Sequence, residues 1–257
     1  DASWFDANKN IAAPRKYELV CFVLEPDLIS PQSYKIVNKS QYGARHMIMQ
    51  IFHKQTNLAE LKEDGLRFNE SFLKTVDNTL LSGYWQSEKY FAKHADAIRS
   101  AFTFTDGPGG KNRAIAEDIR RRQSVSLHIR RGDYASHKQT NTTHGLLGLD
   151  YYRTAVKQIA KDVKDPHFFI FSDEPVWCMK NLNITKPHTY VNINSKGSYD
   201  MQLMSMCKHH IIANSSFSWW GAWLNINEKK IVFAPKRWFI DASMDSHDIV
   251  PSRWRRI

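Results

Sequence analysis

The second half of this chain predicts an α/β fold in which helices wrap a parallel sheet. From Ser124 onward, apolar strand-like runs alternate with amphipathic helical stretches, the pattern such sheets require. The run Asp106-Gly107-Pro108-Gly109-Gly110 has no apolar anchor and combines glycine with proline, so it reads as a linker between two units. A length of 257 residues suits two domains of about 100 to 150 residues each. The expected division is 1–110 and 111–257.

Taken in order, the first half is the less regular. A helical pattern runs around Ser33 to Gln55, a short strand is expected at Thr79 to Leu81 and a helix at Ser87 to Phe102. In the second half, Ser124 to Ile129 is the first strand. Asp150 to Val163 follows as a helix, with Tyr152, Val156, Ile159 and Val163 at helical spacing, and Pro166 is expected to end it. His167 to Phe171 is a strand closed by Ser172-Asp173-Glu174-Pro175. Thr189 to Val191 is a short strand and Asp200 to His209 a helix. Ile211 to Ala213 is a strand leading into a helix over Ser216 to Asn225, and Ile231 to Phe233 is the last strand before Pro235. The tail, with Trp254 among Arg253, Arg255 and Arg256, is expected to fold back over the body or to meet an acidic surface.

Chemistry concentrates in three places. In Ser126-Leu127-His128-Ile129-Arg130-Arg131-Gly132-Asp133, apolar and polar residues alternate with the period of a strand, so His128 and Arg130 share a face. Gly132 then breaks the strand and leaves the charges at its carboxyl end, where open α/β sheets bind ligands. The cluster suits an anion, a phosphorylated ligand above all. In Ala213-Asn214-Ser215-Ser216-Phe217, Ser215 or Ser216 is a natural N-cap, and the open amides of the first turn suit phosphate as well as they suit an ordinary capped helix. Asp200, followed by Met201, Leu203, Met204 and Cys207, is either a capping carboxylate or an acceptor for guanine N1 and N2.

Composition narrows the function classes. Hydrophobic residues at 42% and charged residues at 24% supply an ordinary core and exclude intrinsic disorder. A formal charge of +10 favours acidic partners. Nucleic acid is not among the expected ones, because aromatic residues such as Phe168-Phe169 and Trp219-Trp220 sit in apolar runs and no nucleic-acid motif occurs. Cys21, Cys178 and Cys207 indicate neither a disulfide framework nor a zinc site. No apolar run is long enough to span a bilayer, and the polar opening Asp1 to Asn10 is neither a signal nor a transit peptide. The five sequons, at Asn38, Asn69, Asn141, Asn183 and Asn214, occur too readily by chance to fix a compartment.

HIRRGD, SYDMQLMSMCKHHIIANSSFSWWGAWLN and GYWQSEKYF (Gly83 to Phe91) resemble the bacterial-type α-1,2-fucosyltransferases. The resemblance covers most of the chain, and HxRRxD marks the wider fucosyltransferase superfamily. It implies a GT-B-like fold, two Rossmann-like domains facing a cleft, with GDP-fucose held by the C-terminal one and a terminal β-galactoside as acceptor. Carried over by position, Arg130 holds the donor diphosphate and His128 lies near the nucleoside. Asp200 and Ser216 have the spacing of the superfamily's guanine and phosphate contacts, with Ser215, Phe217 and Arg131 beside them. Arg131 and Asp133 occupy motif positions that an internal ion pair or direct catalysis would explain equally. The implied reaction is inverting and needs no cofactor or metal; adjacent His209 and His210 cannot face one ion together. For the general base the candidates are Asp133, His144, His137 and Asp150, while Asp173 and Glu174 could bind ribose or acceptor, or cap a helix. The family's opening strand and its Gly-rich segment resembling GGLGNQ have no match, so the first domain is expected to lack both. Expected placement is cytoplasmic, with peripheral contact at an inner membrane, or the Golgi lumen for a eukaryotic member.

Overall fold

The computed structural model describes residues 17–26, 59–77 and 79–257. The helical pattern at Ser33 to Gln55, the opening Asp1 to Asn10 and the sequon at Asn38 lie outside them. In the first half, β1 (Ala59–Lys62) and β2 (Thr79–Ser82) pair in parallel. The helix expected over Ser87 to Phe102 is instead two 3-10 turns, Glu88–Tyr90 and Ala92–His94, followed by α1 (Ala95–Ala101). Tertiary contacts override local periodicity here. Phe91 interrupts the helix at φ −131°, packing its ring against Trp219, Trp220 and Trp223, while Glu88 accepts from Trp223 Nε1 at 3.0 Å and pairs with Arg253 at 2.5 Å.

After the Gly-rich turn come α2 (Lys111–Arg121), β3 (Gln123–Ile129), α3 (Gly132–Ser136), α4 (Lys138–His144) and α5 (Leu149–Asp162). Then follow β4 (Pro166–Ser172), α6 (Pro175–Asn181), β5 (His188–Val191), α7 (Gly197–Met206), β6 (His209–Ile211), α8 (Ser216–Leu224), β7 (Val232–Ala234) and β8 (Arg255–Arg256). Pro166 opens a strand rather than stopping a helix, since α5 has already ended where Val163 turns extended. α7 starts and stops earlier than expected, because His209 is drawn into a strand.

The six strands are parallel and lie in the order β5-β4-β3-β6-β7-β8. This is the doubly wound Rossmann order, in which the chain starts at the centre, builds to one side, and returns to build the other. The direction reverses between β3 and β6. On one face of the sheet Val125, Leu127 and Ile129 pack with Tyr152, Val156 and Ile159 of α5. On the other, Phe169 and Phe171 pack with Leu203 and Met204 of α7 and with Ala116 and Ile119 of α2. The tail does fold back, with Trp254 5% exposed in the cluster of Trp219, Trp223 and Trp238, and Arg255 paired with Asp162.

The alternation of apolar and polar residues in β3 does not leave one face open to solvent. Both its faces are buried, so its polar residues must find partners inside. Ser124 accepts from the Lys208 amide at 3.1 Å. Ser126 Oγ lies 2.7 Å from His210 Nδ1, and Asn225 Nδ2 lies 2.7 Å from His210 Nε2. Because the Asn225 amide donates to Nε2, the proton of neutral His210 sits on Nδ1 and points to Ser126. The network stitches β3 to β6 at the reversal point.

Candidate active site

At the carboxyl ends of β3, β4, β5 and β6 lies a cavity of about 990 Å³. Its walls bring together His128, Arg130, Asp133, His144, Asp200, Ser215, Ser216 and Phe217, residues spread over 90 positions of sequence, counting 128 to 217. A doubly wound sheet opens its crevice where strand order reverses, and this cavity sits there.

β3 delivers His128 and Arg130. The histidine is 4% exposed, its Nδ1 is buried without a hydrogen-bond partner among the described residues, and burial assisted by the Arg130 charge lowers its pKa to about 3. It is therefore neutral, with its ring 5.4 Å from Phe217. Arg130 is clamped, Nη2 to Asp133 at 2.7 Å and Nη1 to Asp173 at 3.1 Å, with about a fifth of its side chain exposed to the cavity. Asp173 also accepts from the Arg131 amide at 2.9 Å, and a Cβ on Gly132 would lie 2.5 Å from its Oδ2. A side chain at Gly132 would have to push that carboxylate away from Arg130 and the Arg131 amide.

Arg131 is placed elsewhere. It pairs with Glu174 at 3.0 Å and stacks its guanidinium 3.6 Å above Trp177, and it is not among the residues lining the cavity. The internal ion pair, one of the two roles left open for it, is the one this geometry provides. Of the base candidates, Asp133 and His144 line the cavity, whereas His137 is half-buried outside it and bonded to Ser136, and Asp150 sits at the start of α5 beside Arg153. His144 stacks on Tyr134 at 4.7 Å, and burial lowers its pKa against the opposing pull of Asp133.

From the other side of the crevice comes α8. Ser215 is its N-cap, and its hydroxyl makes no capping hydrogen bond to the first turn. Ser218 turns its own hydroxyl inward, accepting from the Ala213 amide at 3.2 Å and donating to the Ser215 carbonyl. The first-turn amides and the Ser216 side chain thus face the cavity, with the positive end of the helix dipole behind them. Asn214 fixes this corner by donating to the carbonyls of His144, Gly145 and Trp238.

Asp200 lies in the first turn of α7 but not at its N-cap, which is Lys196. The capping role expected as an alternative is therefore not the one it has. Burial raises its pKa to about 6, against the opposing effect of a 2.7 Å hydrogen bond from Asn194 Nδ2. Asn194 in turn accepts from Asn112 at 2.8 Å, which sets its amide and aims the carboxylate. Sequence reasoning passed over Asn194, Thr140, Tyr134, Lys196, Trp220 and Glu18, all of which line the cavity. Asn194, Lys196 and Glu18 lie outside helices and strands, where no periodicity marks them, while Tyr134 and Thr140 sit on the short α3 and α4 and Trp220 on α8. Among the described residues no cluster of three or more metal-ligating side chains occurs, and no helix is long and apolar enough to cross a membrane.

A family model described as Glycosyl transferase family 11 matches residues 33–257. Among curated proteins, the Alpha-1,2-colitosyltransferase of Escherichia coli is 40% identical over 201 residues, covering 74% of this chain and 68% of that one. The Escherichia coli O-antigen biosynthesis glycosyltransferase WbnK is 36% identical, covering 66% and 59%. Galactoside alpha-(1,2)-fucosyltransferase 1 of Rattus norvegicus is 27% identical, covering 64% of this chain but only 45% of its own length. Among solved structures, POFUT1 in complex with GDP aligns over 64% of this chain and 57% of that one at 12% identity, with a TM-score of 0.36, too low to bear on the fold.

Proposed function

The chain belongs to glycosyl transferase family 11, and from that membership we propose that it moves L-fucose from GDP-β-L-fucose to the 2-hydroxyl of a terminal β-galactoside, inverting the anomeric centre. The observation that carries this reading is the convergence of Arg130, Asp200 and the open N-terminus of α8 on one cavity at the sheet's reversal point. An aimed carboxylate suits guanine N1 and N2, and above pH 6 Asp200 is ionised for that task. Phe217 and neutral His128 give the nucleoside a wall.

In the reaction the acceptor oxygen bonds to C1 of fucose while the bond from C1 to the diphosphate oxygen breaks. GDP leaves with the electron pair, so negative charge grows on the diphosphate. Arg130 and the α8 amides are fixed donors for that charge and need no rearrangement to meet it. The incoming diphosphate competes with Asp133 for the Arg130 guanidinium. Release of that carboxylate, with His144 nearby, supplies an acceptor for the hydroxyl proton. Neutralisation by guanidinium and amides makes the reaction independent of divalent metal.

Incubation with GDP-fucose and a panel of β-galactosides, the linkage read by NMR, tests donor, acceptor and regiochemistry at once. An α-1,2 fucoside formed equally well in EDTA is expected; inactivity with every β-galactoside, or rescue by Mn²⁺ alone, defeats the proposal. The 40% identity to a colitosyltransferase favours a second reading, in which the donor sugar is colitose. Competition between the two GDP-sugars separates them.

A further inference from the structure

Next to the donor cavity, and sharing Ser216 and Trp220 with it, is a second cavity of about 230 Å³. Its walls are aromatic: Tyr84, Trp85 and Phe91 from the first half, Trp219 and Trp238 from the second, with Gln86 and Ser87 as polar points. Among the described residues its lining is aromatic and uncharged, a surface that suits a neutral ligand with an apolar face.

The loop that supplies its outer wall is built under constraint. Glu63 Oε2 accepts from the Tyr84 amide at 2.7 Å and the Trp85 amide at 3.0 Å. A Cβ on Gly83 would lie 2.4 Å from Glu63 Cβ, so only glycine lets the loop approach that carboxylate. Trp85 is held at φ 51°, a conformation that a bulky side chain rarely adopts, and its ring is wedged edge-on between Phe72 at 4.8 Å and Tyr90 at 5.4 Å. Strain of this kind persists only where surroundings over-determine it, and it gathers at ligand sites. Tyr84, by contrast, is 79% exposed at the rim. Trp220 stands between the two cavities and stacks on both Phe91 and Phe102 within 12° of parallel, which fixes the partition.

We propose that this aromatic cavity holds the terminal pyranose of the acceptor, its 2-hydroxyl directed past Ser216 and Trp220 into the donor cavity. A β-galactopyranoside presents H3, H4 and H5 on one face, an apolar patch suited to an aromatic wall, while its hydroxyls meet Gln86 and Ser216. A β-glucopyranoside turns H4 to the opposite face and matches less well. The assignment rests on the transferase reading above, and it places the missing acceptor wall on the segment Gly83 to Phe91.

Two measurements test it separately from that reading. In kinetics at saturating donor, Tyr84→Ala and Gln86→Ala raise the acceptor KM about five- to tenfold, while calorimetric affinity for GDP keeps its wild-type value. Saturation-transfer NMR with methyl β-galactopyranoside on the wild-type protein shows contact at H3, H4 and H5, weakened in Tyr84→Ala and weaker with the methyl β-glucoside. Binding seen by NMR without any transfer would defeat the transferase reading and leave the sugar site standing. Unchanged acceptor KM in both variants, or no NMR contact at those protons, overturns the inference.

Discussion

Arg130 enters the cavity already engaged by two carboxylates, Asp133 and Asp173. The pairing holds the guanidinium in place at about a fifth exposure, where water screens it less than at the surface. Removing it in Arg130→Ala strips the leaving group of its fixed cation, and kcat/KM is expected to fall by about 10² to 10³, the usual loss for one such donor. Undiminished transfer by a folded variant would sink this role. Asp200 behaves in the opposite sense for stability. Its folded pKa is raised to about 6, so its contribution is fully present below the unfolded value near 4 and is lost as pH rises through 6. At pH 7.5 the ionised carboxylate therefore costs about 2–3 kcal/mol. Asp200→Asn keeps an acceptor for Asn194 and is expected to raise the melting temperature at pH 7.5 but not at pH 4, while the preference for GDP over ADP disappears. An unchanged nucleotide preference would show that guanine is read elsewhere.

At the scale of elements, glycines set how closely the loops converge. Gly145 ends α4 at φ 70°, and a Cβ there would lie 2.4 Å from Ile240 Cγ2. Gly145→Ala thus meets both backbone strain and a clash, and a loss of more than about 1 kcal/mol in urea denaturation is expected. Adding Ile240→Ala relieves only the clash, so partial recovery is the outcome; full recovery would mean the backbone conformation carries no strain. The same elements show what could be read in advance. α5 was visible because Tyr152, Val156 and Ile159 repeat at helical spacing and all meet the sheet. α2 was missed because its buried face is thin, essentially Ala116 and Ile119 among Lys111, Arg113, Arg120 and Arg121. α4, whose sequence is KQTNTTH, has no buried residue and so no stripe to see. β8 consists of two arginines, and only pairing with β7 makes it a strand. Among the residues that line the cavity, His128, Asp200 and Ser216 on regular elements, and Arg130 just past the end of β3, were legible as candidates from spacing and resemblance. Asn194 was not, since it lies on the loop between β5 and α7 and acquires its role only where that loop meets Asp200 and Asn112.

For the whole molecule, acid is the expected weakness. Burial lowers the pKa of His128, His144, His167, His209 and His210, so each contributes stability that is present above pH 6.5 and lost as pH falls below it. His128 and His210 are buried throughout and together can cost up to about 3 kcal/mol per pH unit, two protons at 1.36 each. Asp200 opposes this over a narrow window only. Thermal unfolding followed from pH 7.5 to pH 5 should therefore show a steep fall in melting temperature. A flat profile would mean these rings are solvated in the native state.

Trp220, the partition between the two cavities, gives the molecule an optical consequence. An indole whose orientation is fixed by two stacked phenylalanines cannot report a ligand by moving, so a nearby diphosphate or sugar can alter its emission only through local field and water exclusion. It lines both cavities, so the proposed donor and acceptor would reach it from opposite sides. The difference in fluorescence between the native protein and a Trp220→Phe variant would then record the filling of each compartment in turn, and with it the order in which the two substrates arrive.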